Sequence, residues 1–350
     1  MKILLNSTTV FPLPPPGYAG TEWIVYDLAV NLNRMGHQVV VACPKGSTLP
    51  EGIEHIPTSD PTWDIAAEQV VAWPIILPRI WRQQDTVEYL DFDLVHDHSF
   101  MGWPYMAAKD HSEVKVTWTL HWYSEMTVPP PVRNPNLVSL SNFMAAHWSG
   151  KLGVHVERVY NGIEPDRYLY SAEKGDRYLF LGRIARFKGP HEAVEIAKRA
   201  RVPVDIVGED RFTGDPPYVM NVMNSTKGTT AVYKGTVTHD EKLAFLRDAK
   251  AVLFPALLDE PFGLVPIEAM VSGTPVIALK RGALSEIIVN GKNGFLVDTV
   301  AEMVTLVEEN AVEDIDPEVC RQHVLDHFTS ERMAKEYESK YVRILKGDEW

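Results

Sequence analysis

Short apolar runs, separated by stretches long enough for helices and repeated in two series, constrain the fold of this chain more than any other feature. Lys2–Asn6 is a buried-strand run, followed over residues 11–20 by a proline-rich loop that excludes regular structure. Thr21 then begins a helix whose apolar residues Ile24, Leu28, Leu32 and Met35 fall on one face of a 3.6-residue period. Gly36 ends it, and residues 39–43 read as the next strand. Further strand-like runs follow at 93–96, 114–120, 138–141 and 156–159. A second series occupies 177–181, 204–207, 231–234, 251–254, 275–278 and 295–297, and Thr238 with Glu241 forms a capping box at the start of one of its helices. Strands alternating with helices in this way predict α/β architecture with parallel sheets.

With 350 residues, the chain has room for two such domains. The polar stretch after Ile163 is the natural joint. We therefore expect an N-terminal domain over 1–163, a second over 164–329, and an amphipathic C-terminal helix over 330–350 that either stays on its own domain or crosses back. The 34 Lys+Arg against 47 Asp+Glu give a net charge of −13, which speaks against a nucleic-acid coat or a basic membrane-surface protein. Only two cysteines, Cys43 and Cys320, exclude a disulfide framework or a cysteine-rich zinc site. No run approaches the ~20 apolar residues of a spanning helix. A reduced, cytoplasmic setting is the expectation; the apolar, proline-broken stretch at 70–81 reads first as core, with an acceptor wall or a segment touching the membrane periphery as its alternatives.

Two constellations carry chemistry. Glu260, Phe262, Gly263, Leu264, Val265 and Glu268 follow a buried strand and lead into a helix. Gly263 permits a tight turn there, and the unpaired first-turn amides suit a phosphate. The two carboxylates can accept hydrogen bonds from sugar hydroxyls, although acids near a helix start are favourable for the dipole alone. The second constellation, Gly182 to Gly189, also follows a strand. Residues 177–188 carry four cations and no acid, a local reversal of the chain's sign that Arg183 and Lys188 could direct at a diphosphate. A solvated basic loop is the plainer alternative.

Taken in order, Gly182, Arg183, Lys188 and Gly189, then the stretch from Glu260 to Glu268, then Gly273, Pro275, Gly282, Glu286, Asn290 and Gly294 resemble the donor domain of family 4 glycosyltransferases. Gly20, Glu22, Gly36, His96, His98, His121, Asn161 and Gly162 extend the resemblance over nearly the whole chain. The likeness is greatest to short members with a Pro-Pro-Gly-Tyr loop, one of which serves antibiotic biosynthesis. It implies a GT-B fold, with two Rossmann-like domains facing a cleft, and transfer of a hexosyl group from a UDP- or GDP-sugar with retention of configuration, without a metal or a cofactor beyond the donor.

On that resemblance Arg183 and Lys188 would hold the diphosphate, Glu268 the ribose and Glu260 the donor sugar. Gly182, Phe262 and the main chain of Gly263, Leu264 and Val265 would line the donor, His121 would reach its sugar, and Val237 with Thr238 would lie by the base. Gly20 would let a loop approach the diphosphate, although Ala19 stands where the family often has a second glycine. The acceptor would be a small molecule, glycan or lipid, with no nucleic acid involved.

His96 and His98 alternate like metal ligands but lack a third at useful spacing, so a place at the acceptor side fits them better. Trp103, Trp118 and Trp122 could stack on sugar. Two alternatives are a nicotinamide-dependent oxidoreductase and a non-catalytic nucleotide-sugar binder. The first wants Gly-x-Gly-x-x-Gly directly after the first strand, where this chain has a proline-rich loop.

Overall fold

In a computed structural model, residues 1–17, 19–62, 92–100, 102, 115–123, 136–211 and 214–350 are described. The apolar stretch at 70–81 and Trp103 lie outside them. The chain divides into two units, Met1–Gly162 with Ser330–Trp350, and Ile163–Thr329.

In the first unit β1 (Lys2–Asn6), β2 (Gln38–Cys43), β3 (Ile53–Pro57), β4 (Leu94–Asp97), β5 (Val116–Leu120), β6 (Leu137–Ser139) and β7 (Glu157–Arg158) form one sheet in the order β3-β2-β1-β4-β5-β6-β7, with every pair parallel. Ile3, Leu4 and Leu5 on β1 and Val39, Val40 and Val41 on β2 are fully buried, as a parallel strand covered on both faces requires. Each such side chain contributes roughly 1.5–3 kcal/mol, against about 1 for the net effect of a ladder hydrogen bond. Packing of the apolar runs therefore dominates over the ladder itself. Strand β3 was not expected from the sequence. It is an edge strand in which only Ile53 and Ile56 are buried, so its apolar signal is thin.

The helix Gly20–Arg34 buries Ile24, Leu28 and Leu32 and packs against the helix Ser330–Leu345. Asn31 Nδ2 donates to Ser330 Oγ at 3.1 Å. Beyond the second helix, Trp350 Nε1 donates to the Leu137 carbonyl at 2.9 Å, tying the last residues to β6.

The second unit repeats the plan with six parallel strands, β8 (Tyr178–Leu181), β9 (Val204–Val207), β10 (Ala231–Gly235), β11 (Val252–Phe254), β12 (Val276–Leu279) and β13 (Gly294–Val297), in the order β10-β9-β8-β11-β12-β13. The capping box at Thr238 and Glu241 starts the helix His239–Asp248. In both sheets the direction of strand addition reverses beside the first strand, between β1 and β4 and between β8 and β11. Open parallel sheets bind ligands beyond the carboxyl ends of the strands at such a reversal. Among the described residues no helix is long and apolar enough to cross a membrane.

Candidate functional site

Both basic and acidic constellations leave the reversal point of the second sheet. After β8 the chain passes through Gly182 and half-buried Arg183 into a single 3-10 turn, Arg186–Lys188, which ends at Gly189 with φ +73°. A Cβ on Gly189 would lie 2.1 Å from the Pro255 carbonyl oxygen, so only glycine lets this loop touch the chain leaving β11. The Leu257 amide donates to the Phe187 carbonyl at 2.8 Å and joins the two loops. Lys188 Nζ is thereby held against Glu260 Oε1 as an ion pair whose side chains are 15% and 9% exposed.

Gly263, at φ +112°, caps the helix Leu264–Val271, and an added Cβ would meet Leu284 Cδ2 at 2.9 Å. No side chain among the described residues caps this helix, so the amides of Leu264 and Val265 in its first turn carry the positive end of its dipole. The ring of Phe262 packs edge-on to Phe328 and is 2% exposed, which leaves its main chain for any ligand. One turn into the helix, Glu268 is buried and accepts two bonds on a single oxygen, Oε1, from Tyr168 Oη and from Lys242 Nζ, each at 2.9 Å. Burial pushes the Glu268 carboxyl up, but the Lys242 charge and these hydrogen bonds outweigh it and hold the group below its ordinary range. Lys242 rises from the helix whose capping Thr238 directly follows Val237. Tyr168 and Lys242 were missed from the sequence. They stand 100 and 26 residues from Glu268, and no motif ties them to it.

Ten predicted residues therefore fall in the second unit, and Gly20 and His121 in the first. Gly20 opens its helix after Ala19, which is buried and extended at φ −169°. Nearby, buried Glu22 accepts a hydrogen bond from Thr8 Oγ1. His121 follows β5 and is buried, with Nε2 3.0 Å from His98 Nδ1, and desolvation pushes it down to about 3. The expectation of a sugar-stacking Trp118 is corrected: its ring is buried and donates Nε1–H to the Ser99 carbonyl at 2.9 Å, a core role. Trp122, in contrast, is 43% exposed. Among the described residues no three His, Cys, Asp or Glu side chains are grouped to hold a metal.

Two family descriptions match this chain in tandem, "Glycosyltransferase Family 4" over residues 18–167 and "Glycosyl transferases group 1" over 167–313. The chain is 25% identical to a glycogen synthase of Mycobacterium tuberculosis, aligned over 99% of this chain and 96% of the relative. Among solved structures it is similar to AviGT4, a glycosyltransferase involved in avilamycin A biosynthesis, with a TM-score of 0.77 at 23% identity over 100% of this chain and 99% of that one. A second similar structure is Anabaena Alr3699/HepE in complex with UDP and glucose, with a TM-score of 0.72 at 17% identity over 97% of this chain and 98% of that one. The oxidoreductase alternative does not survive these matches. Two parallel-sheet units in this order give the GT-B fold, and the chain belongs to the family 4 glycosyltransferases.

Proposed function

We propose that this glycosyltransferase moves a hexosyl group from a UDP- or GDP-sugar to an acceptor hydroxyl with retention of anomeric configuration. The observation that carries this reading is the pairing of Lys188 with Glu260 and Lys242 with Glu268 at the reversal point of the second sheet, beside a helix start without a side-chain cap. Arg183 and Lys188 take the diphosphate, together with amides near Gly263, Leu264 and Val265. As the diphosphate draws Lys188, Glu260 is released to accept a hydrogen bond from a donor-sugar hydroxyl. Glu268, with Oε1 already engaged, offers Oε2 to the ribose hydroxyls. The main chain at Gly182 and Val237 lies along the phosphate and base. That the solved HepE complex holds UDP and glucose supports this donor class.

In the reaction, cations on the diphosphate stabilise charge that grows as the bond to the anomeric carbon lengthens, the kind of preorganised stabilisation that gives most of an enzyme's rate. The carbon becomes oxocarbenium-like and the acceptor hydroxyl enters on the face the diphosphate leaves, passing its proton to a phosphate oxygen. The positive charge on the leaving group comes from the chain itself, so the reading asks for no metal and no further cofactor. The acceptor is a small molecule, glycan or lipid. The test is release of nucleoside diphosphate from UDP- or GDP-hexoses, measured with and without acceptor sugars. If Arg183→Ala and Lys188→Ala left that release unchanged, the assigned site would be wrong.

A further inference from the structure

One buried ring is attached to both ends of the turn that carries Lys188. The ring is Tyr218, 4% exposed, on the helix Pro216–Ser225. The guanidinium of Arg186, the first residue of the turn, lies over it at 4.6 Å from the ring centroid. Arg186 Nε also donates to Asp215 Oδ2 at 3.1 Å. Asp215 is the cap of the Tyr218 helix, and its other oxygen, Oδ1, accepts from the Tyr218 amide at 3.1 Å. At the far end of the ring, Tyr218 Oη is 2.6 Å from Nδ1 of His191, in the first turn of the helix Pro190–Ala200.

Between these two attachments lie only Phe187, Lys188, Gly189 and Pro190. Within the turn, the Lys188 amide donates to the Ala185 carbonyl at 3.0 Å and the Gly189 amide to the Arg186 carbonyl at 3.1 Å. A single 3-10 turn fixes several dihedral angles for each such bond, so it does not persist without support from outside. The Arg186–Asp215 ion pair is too exposed to supply that support, with side chains 67% and 40% exposed, and exposed pairs add little. The ring is better placed. Burial pushes the Tyr218 phenol up to about 12, so it keeps its proton and meets Arg186 and His191 as a neutral group. A segment whose two ends are fixed to one rigid side chain has few other conformations open to it.

We propose that Tyr218 is a positioning residue for the reaction: it holds Arg186 and His191 so that the turn between them presents Lys188 to the diphosphate. Arg186 then serves the loop and not the ligand. That Lys188 meets a diphosphate rests on the function proposed above; that Tyr218 holds the turn does not.

The full chain is followed by hydrogen exchange with mass spectrometry and by release of nucleoside diphosphate from UDP- or GDP-hexoses. Tyr218→Phe keeps the ring and loses the hydroxyl, so exchange over residues 183–191 should rise about three- to tenfold, the worth of one hydrogen bond. Tyr218→Leu also removes the face under Arg186 and should add about two- to fivefold. Met220→Ala, an exposed change on the same helix, should alter neither exchange nor release. Unaltered exchange over 183–191 in a folded Tyr218→Leu chain, or a rise shared equally by strands β8 and β11, overturns the proposal. Tyr218→Phe decides the same point if Tyr218→Leu does not fold. In the release assay Tyr218→Leu should lower kcat about tenfold in the wild-type chain and have no further effect in Lys188→Ala, and an equal fall in both backgrounds overturns the proposal. If Lys188→Ala itself leaves release unchanged, the diphosphate assignment fails, and exchange over 183–191 alone decides whether Tyr218 holds the turn.

Discussion

Between β1 and β4 the first sheet presents Asn6, His96, Asp97 and His98 at its reversal point, all buried, with Asn6 Nδ2 2.9 Å from Asp97 Oδ1. Between β8 and β11 the second sheet presents Arg183, Lys188 and Glu260, with Lys188 and Glu260 joined as an ion pair. The same topology thus ends in imidazoles, one amide and one buried carboxylate in the first unit, and in cations with a paired carboxylate in the second. Topology selects where a ligand can sit; the residues after the strands select what kind. Hydroxyl-bearing ligands suit the first arrangement and a diphosphate the second.

Acid should separate the two units most strongly. His96, His98 and His121 are held below the ordinary 6.5, so the unfolded first unit binds protons that the folded one refuses. Their contribution is complete above pH 6.5 and falls as pH drops, by about tenfold in the folding constant per pH unit for each histidine. The second unit holds two half-buried histidines, His239 and His323, below the same value, and Glu268, held below 4.5, loses its contribution only in more acidic solution, so that unit's loss of stability begins more gently. Hydrogen exchange followed by mass spectrometry from pH 7 to 4 should show Met1–Gly162 opening first. Simultaneous opening would remove the distinction drawn here.

Charge at the second reversal point comes next. Lys188→Ala should lower kcat for nucleotide release by about 10²–10³-fold, the usual loss when one preorganised stabilising group is removed. Lys188→Arg, which keeps the charge, should recover part of it. Were Lys188→Ala no worse than Gln38→Ala, an exposed substitution on the first sheet, the charged site would not be the catalytic one. Gly263→Ala tests the helix start: a side chain at φ +112° with Leu284 in its way should cost about 1–3 kcal/mol, read as a lowered Tm and weaker nucleotide binding. Smallest is Tyr168→Phe, which removes one of the two bonds to Glu268 Oε1 and should weaken UDP or GDP binding about three- to tenfold by calorimetry. Discrimination between UDP and its 2′-deoxy analogue should narrow in the same variant.

Legibility followed sequence distance. Contiguous features were visible: the β8 strand with its basic loop, the Glu260 to Glu268 stretch, and the Thr238 capping box all depend on neighbours within one turn or loop. Strand β3 was not, because two buried isoleucines around an exposed Glu54 form no clear run. The histidine spacing at 96 and 98 was plain, yet its meaning was not, since Tyr341, with Oη 2.6 Å from His96 Nδ1, lies 245 residues away. Likewise Glu268 could be placed on a helix, but not the choice of which oxygen is occupied, which depends on Tyr168 and Lys242. Local propensity is written in the sequence; the partner of a buried polar group is set by tertiary packing.

The helix Ser330–Leu345 has a consequence for synthesis. It belongs to the unit that begins at Met1, while all of Ile163–Thr329 is made in between. At about 5–20 residues per second, a ribosome takes roughly ten to thirty seconds to pass from one part of the first unit to the other. During that interval His96 has no Tyr341 and the helix Gly20–Arg34 lacks the helix Ser330–Leu345 that packs against it. The second unit, whose residues are contiguous, can close first, and the first-made half of the enzyme is completed last.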